Sequence, residues 1–298
     1  MTSAVKSATR QWSNIRARCA FRECHHTQIT RWIPGGHPGI VAGDSWYCSI
    51  DCFALAARTP LELLSNRHVV EIQRQPRLPL SLLLVSKGFL TPEQMRQATT
   101  QSQNSSEELE AVLVRMGYVT ENQLAAARSA QWGYPVLSSD FVGLWVETDV
   151  PVGLLKAFRA VPLHYSASAN RLLVGFAARV EPQVLELLEK LTGYRVEPCL
   201  ITTTELEEQL ERLTISPGYE EVFVDEPGAP DKMARTVGRT AVQVAAREAV
   251  FAQCKDFVVV RVTGKRGRAD VVFSLRRQFA HRIHRNFAEI EDSVAVSG

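Results

Sequence analysis

Twice between Pro79 and Gln131 the chain runs through the same order of apolar and polar positions, the second time 29 residues after the first. Gly88 falls on Gly117, Leu84 on Leu113, Val85 on Val114, Phe89 on Tyr118, Leu90 on Val119, Thr91 on Thr120, Gln94 on Gln123 and Met95 on Leu124. Each copy predicts two short helices joined at a glycine, the residue that takes the positive φ of a helix stop without strain. Thr91 to Gln94 and Thr120 to Gln123 have the spacing of a capping box, in which a threonine hydroxyl and a glutamine amide cover free N–H groups at the next helix start. One helical pair cannot bury its apolar stripe alone. The copies are therefore expected to clasp each other, Leu80, Leu84 and Met95 against Leu109, Leu113 and Leu124.

Elsewhere the period changes. A short helix is expected from Cys52 to Ala57, and a second from Thr59 to Gln75, where Leu61, Leu64, His68 and Ile72 recur at helical spacing behind a Thr-Pro start. Pro76 and Pro79 break the chain before the repeat. Residues 161–164, 171–176 and 195–200 read as strands, with helices at 182–191, ending at Gly193, and at 205–213 behind Thr203 or Thr204. The stretch from 214 to 231 is rich in Pro, Gly and acid, which predicts a linker. Met233 to Cys254 reads as one long helix with an Ala/Val face, followed by a hairpin of residues 257–262 and 269–275 around a Gly-Lys-Arg-Gly turn.

The fold class that follows is α+β. It comprises an N-terminal knuckle with a helix (1–75), a four-helix repeat (79–131) with a small α/β unit (132–215) inside a domain 76–215, a linker (216–231), a C-terminal helix plus β-hairpin (232–278) and a tail (279–298).

Composition adds little to this until charge and cysteine are placed. The chain has 298 residues, 45% apolar and 22% charged, which is ordinary for a globular protein and enough for two or three cores. It contains no apolar run of about 18 residues, so no membrane span is expected. Residues 1–22 lack the apolar core of a secretory signal, and the N-terminus is read as retained in a cytoplasmic protein. The net charge of +2 hides a basic stretch: residues 265–285 carry seven Lys or Arg against one Asp. Such a stretch attracts nucleic acid, anionic lipid or an acidic partner, or is a solvated surface.

Four of the six cysteines lie within 34 positions, as Cys19-x4-Cys24 and Cys48-x3-Cys52. Thiolates suit tetrahedral Zn²⁺, and two close pairs let two turns converge on one ion. Four thiolates leave no open position for water, so the ion would be structural. The alternatives are unbound thiols or a ligand set that takes in His25, His26 or His37. The pattern resembles a treble-clef or FCS-type zinc knuckle, with a wider first pair. Cys199, in a strand, reads as a small core residue.

No catalytic pattern accompanies His164, His281 or His284. The chain is read as not an enzyme.

The doubled LV-x-x-G pattern, the GYPVL stretch after it and the α/β unit together resemble the N-terminal domain of type II secretion and type IV pilus assembly ATPases, the GspE and MshE type, over residues 79–215. These 298 residues lack the G-x4-G-K-[ST] phosphate loop of those motors, so ATP hydrolysis by that mechanism is not expected. Many members of the family bind cyclic di-GMP on the doubled motif. The resemblance carries that role to Leu80, Leu84, Val85 and Gly88 in the first copy, and to Leu109, Leu113, Val114, Gly117 and Gln131 in the second. The polar positions depart: Pro79 and Glu108 replace arginine, Ser81 and Glu110 replace glycine, and Ser102 replaces glutamine, while Arg77 lies two residues upstream of the arginine position. A glutamate repels phosphate where an arginine fork would hold it.

The leading functional reading is a non-catalytic bacterial adaptor or regulatory protein that binds secretion or pilus assembly components, a related ATPase among them. A cyclic-di-GMP receptor is the second reading. A zinc-containing nucleic-acid-binding protein is the third, with Phe273, Phe279 and Phe287 as the aromatics available for stacking.

Overall fold

A computed structural model describes residues 16–29, 39–67, 78–105, 107–137, 147–166, 168–225 and 227–275. The chain divides into two compact units, one of residues 1–67, 224–251 and 256–298, the other of residues 68–223 and 252–255.

The chain enters the first unit through four strands of three residues each: β1 (Arg16–Arg18), β2 (Thr27–Ile29), β3 (Ile40–Ala42) and β4 (Ser45–Tyr47). β1 pairs antiparallel with β2, and β3 with β4. Strands so short are stable only against something larger. Ser49 then caps α1 (Ile50–Asn66) by accepting from the Cys52 N–H. The two helices expected on either side of Thr59 are one, with Pro60 inside it. Its buried stripe of Phe53, Ala57 and Leu61 keeps helical spacing across the proline, and that continuous packing face outweighs the single hydrogen bond Pro60 removes. The remainder of the expected helix, 68–75, lies outside the described residues.

The repeat forms α2 (Leu80–Ser86), α3 (Pro92–Ser105), α4 (Leu109–Arg115) and α5 (Glu121–Trp132). Both glycine stops are present, with φ of 71° at Gly88 and 69° at Gly117. At each, the glycine N–H reaches the carbonyl three residues back and the next N–H reaches five back: Gly88 to Val85 and Phe89 to Leu84, Gly117 to Val114 and Tyr118 to Leu113. This is the Schellman arrangement. Reciprocal capping bonds join Thr91 with Gln94 and Thr120 with Gln123. A Cβ at either glycine would meet open space, so alanine there tests backbone strain alone. Gly88→Ala and Gly117→Ala are each expected to lower stability by about 1–2 kcal/mol in a urea melt. No loss in either variant would remove the stops from the account of the fold.

The helices pair crosswise rather than as two separate hairpins. α2 packs on α5 and α3 on α4, so each helix takes its neighbour from the other copy. Leu84, Leu113, Leu124, Val112, Val119 and Ala98 share one buried core, with Leu80, Met95 and Leu109 packed against it.

Next come β5 (Glu147–Thr148), α6 (Val152–Ala157), β6 (Ala160–Ser166), β7 (Arg171–Phe176), α7 (Pro182–Thr192), β8 (Arg195–Leu200) and α8 (Thr203–Arg212). β6 is antiparallel to β7, and β7 is parallel to β8 across α7. Gly193, at φ 74°, ends α7, and α8 starts on a capping box of Thr202 and Glu205, one residue earlier than Thr203. The stretch expected as linker holds two strands, β9 (Thr214–Ile215) and β10 (Tyr219–Val224); the division between the two units falls within β10. Tyr219, Phe223 and Val224 supplied a strand signal that the neighbouring Pro, Gly and acid masked.

The expected long helix after Met233 is also corrected. α9 (Pro230–Gln243) stops where Ala245 takes φ 50°, and β11 (Ala246–Cys254) follows. β12 (Phe257–Gly264) and β13 (Gly267–Ser274) form the expected hairpin in full antiparallel register. The C-terminal piece is thus more than a helix and a hairpin. In the first unit β13, β12, β11, β3 and β4 lie side by side in that order, with β3 parallel to β11. α9 packs along α1, where Gly238 permits the approach: a Cβ there would sit 2.8 Å from that of Ala54. Phe53 and Phe251 add a ring contact at 6.1 Å.

Candidate metal centre and repeat cleft

In the first unit the sulfurs of Cys19, Cys24, Cys48 and Cys52 all lie within 4.8 Å of one another. Cys24 and Cys48 are 3.6 Å apart, and Cys48 and Cys52 are 3.7 Å apart. Four sulfurs around one ion at Zn–S bonds of about 2.3 Å would stand about 3.8 Å apart. The donor set therefore fits a tetrahedral thiophilic cation.

Local structure explains the convergence. Cys19 follows β1, its N–H bonded to the His26 carbonyl, and Cys24 closes a tight turn onto the Phe21 carbonyl. The Ala20 N–H donates to the Trp46 carbonyl, which ties this turn to β4. Cys48 follows β4 directly, and Cys52 occupies the first turn of α1, its N–H donating to the Ser49 hydroxyl. Burial pushes the Cys48 thiol up to about 12, whereas a hydrogen bond from the His26 backbone lowers Cys24. Ionising Cys48 thus calls for a neighbouring cation. Of the alternative ligands, His25 and His26 are exposed and stand outside the cluster, and His37 lies outside the described residues. Cys199 is fully buried in β8, and burial raises its thiol to about 12.

In the second unit the repeat encloses a cleft of about 420 Å³. Its apolar lining is Leu80, Leu84, Met95, Leu109 and Leu113; its polar lining is Ser81, Glu108 and Glu110. Four of the nine residues carried over from the family, Leu80, Leu84, Leu109 and Leu113, thus meet at one place. Val85 and Val114 pack against the core, Gly88 and Gly117 make the helix stops, and the Gln131 amide donates to the Leu78 carbonyl at 2.9 Å. In the other copy the Ser102 hydroxyl donates to the Glu107 carbonyl at 2.6 Å. These bonds occupy equivalent positions of the two copies.

One participant escaped sequence reasoning. Arg128 on α5 is buried, and its guanidinium bonds both the Glu110 carboxylate and the Ala177 carbonyl that follows β7. The only local signal was an arginine on an otherwise Ala-rich helix face. The glutamate standing at a glycine position of the family pattern therefore has an internal partner.

Residues 132–219 match the MshEN domain family. The chain carries an N-terminal domain of the GspE/MshE type. The match covers the α/β half of the domain and begins at the last residue of α5. Among known proteins, the chain is similar to the type IV pilus assembly ATPase PilB of Thermus thermophilus, 29% identical over 125 residues, 41% of this chain and 14% of that protein. It is likewise similar to PilB of Myxococcus xanthus, 27% identical over 138 residues, 45% of this chain and 24% of that protein. The similarity thus spans between a seventh and a quarter of these relatives' lengths. A structure of MshE with cdg aligns over 46% of this chain and all of that one, at 23% identity and a TM-score of 0.38. The N-terminal domain of XpsE aligns over 47% of this chain and 97% of its own, at 21% identity and a TM-score of 0.36.

The nucleic-acid reading loses one of its aromatics. Phe273 faces the interior of β13 and is fully buried, so it cannot stack on a base. Phe279 and Phe287 lie outside the described residues, as do His281 and His284. Among the described residues, no helix is long and apolar enough to cross a membrane.

Proposed function

We propose that this chain is a non-catalytic adaptor of the bacterial cytoplasm. Its GspE/MshE-type domain binds components of a type II secretion or type IV pilus assembly machine, a related ATPase among them, and Cys19, Cys24, Cys48 and Cys52 hold a structural Zn²⁺. The observation that favours protein binding over ligand sensing is the chemistry of the cleft. Glu108 and Glu110 stand at its polar side, and the buried Arg128 beside them is held by Glu110. A dianionic dinucleotide entering there meets carboxylates rather than free guanidinium groups.

Three measurements test this. The purified chain, mixed with the purified pilus or secretion ATPase of the same organism, is expected to co-elute with it. Failure to associate with either the ATPase or its inner-membrane platform protein at about 10 µM would overturn the adaptor. Calorimetric titration with cyclic di-GMP is expected to give no heat at about 100 µM ligand. The variant Pro79→Arg, Ser81→Gly, Glu108→Arg, Glu110→Gly, which also frees Arg128, is expected to bind about a hundredfold or more tighter than the natural chain. Tight binding by the natural chain would establish the receptor reading instead. Steady turnover of ATP by the pure protein would remove the word non-catalytic.

A further inference from the structure

The cleft of the repeat carries one carboxylate that the fold leaves unused. Leu84 and Leu113 are buried beneath the cleft, while Leu80, Met95 and Leu109 are only half-buried and offer apolar surface to whatever enters it. Of the two acids in the lining, Glu110 is answered by Arg128. Glu108 is not. It is exposed and stands at the N-cap of α4, yet its side chain makes no capping bond, and among the described residues it has no ion-pair partner. A carboxylate beside an apolar wall decides what can be laid on that wall. An anion is repelled, an uncharged apolar group strips water from the carboxylate without replacing it, and an aliphatic cation satisfies both surfaces, its stem on the leucines and its head on the acid.

We propose that this cleft docks a basic amphipathic segment of a partner protein, which lays a lysine or arginine stem and a neighbouring apolar side chain on Leu80, Met95 and Leu109 and brings the cationic head to Glu108. This rests on the adaptor reading above and names the chemistry of what the domain binds. One free carboxylate takes one cationic head. A polyamine would bring further charges that the apolar lining cannot answer, and its thin chain would leave most of a 420 Å³ cleft unfilled. A segment with a cation and an apolar side chain one helical turn apart fills both parts.

The full chain is titrated by calorimetry with the purified ATPase or platform protein with which it co-elutes. Glu108→Lys is expected to weaken association about thirtyfold and Glu108→Gln about fivefold, with thermal melting nearly unchanged, since this side chain holds nothing else in the fold. Met95→Gln, which keeps the length of the side chain and not its apolar surface, is expected to cost about fivefold. Hydrogen exchange on the partner then locates the protected segment, which is expected to carry Lys or Arg three or four positions from an apolar residue. Reversing that cation to Glu is expected to weaken binding to the natural chain and to restore binding to Glu108→Lys. Association that ignores the Glu108 and Met95 variants overturns the docking site and leaves the adaptor reading standing. Protection of an acidic or wholly apolar segment overturns it as well. So does spermidine bound at about 100 µM with the same dependence on Glu108, which would make the cleft a site for small cations. Failure to associate with either protein overturns the adaptor reading, and this site falls with it.

Discussion

Cys48→Ser is expected to weaken zinc retention severely and to melt β1 to β4 while the second unit stays folded. Cys48 is close to two of the other sulfurs, at 3.6 Å from Cys24 and 3.7 Å from Cys52, so its loss removes the donor that links the two cysteine pairs. Metal binding in small tetrathiolate folds supplies apparent free energies of about 10–16 kcal/mol at neutral pH, far more than the short strands here gain by burial. The expected result is loss of one zinc per chain by mass spectrometry, together with fast hydrogen exchange across β1 to β4. Cys199→Ala, in the other unit, should keep its zinc. A Cys48→Ser protein that holds stoichiometric zinc would show that the ion, if any, sits elsewhere.

The second large effect lies in the β12–β13 hairpin. Arg261 stands directly opposite Asp270, and its guanidinium reaches both carboxylate oxygens, Nε to Oδ1 at 2.8 Å and Nη2 to Oδ2 at 2.5 Å. Both residues are buried, at 3% and 0% exposure. A charge in that position cannot be left alone. Asp270→Ala is expected to lower stability by about 3–5 kcal/mol, because the guanidinium stays behind without its counter-ion. The double variant Arg261→Met, Asp270→Leu removes both charges and fills the space, and is expected to come within about 1 kcal/mol of the natural chain. Urea midpoints of the three proteins decide the matter. If the double variant is as unstable as the single one, packing rather than charge governs this site.

The parts of the fold that could be read from the chain are those written locally. The glycine stops at 88 and 117, the threonine caps at 91 and 120 and the apolar order of the repeat each involve residues within a few positions, and all took the expected form. The four cysteines were legible for the same reason: two close pairs announce themselves. What escaped was set by partners far along the chain. Ala246 to Ala252 reads equally well as a helix face or a strand, and the choice is made by the sheet, in which β11 lies between β12 and β3. Pro60 looked like a helix start because nothing nearby records that α1 lies along α9. Arg128 was overlooked because its two partners, Glu110 and the Ala177 carbonyl, come from separate elements. In the cleft the apolar set was recoverable by alignment of the copies, whereas the ion pair that Glu110 makes with Arg128 was not.

The crosswise pairing of α2 with α5 and α3 with α4 constrains how this module can be cut or copied. A fragment ending after α3 would hold one copy complete in its own chain and still lack the helices on which α2 and α3 chiefly pack. Its apolar face would stay open to water until a second copy of the motif covered it.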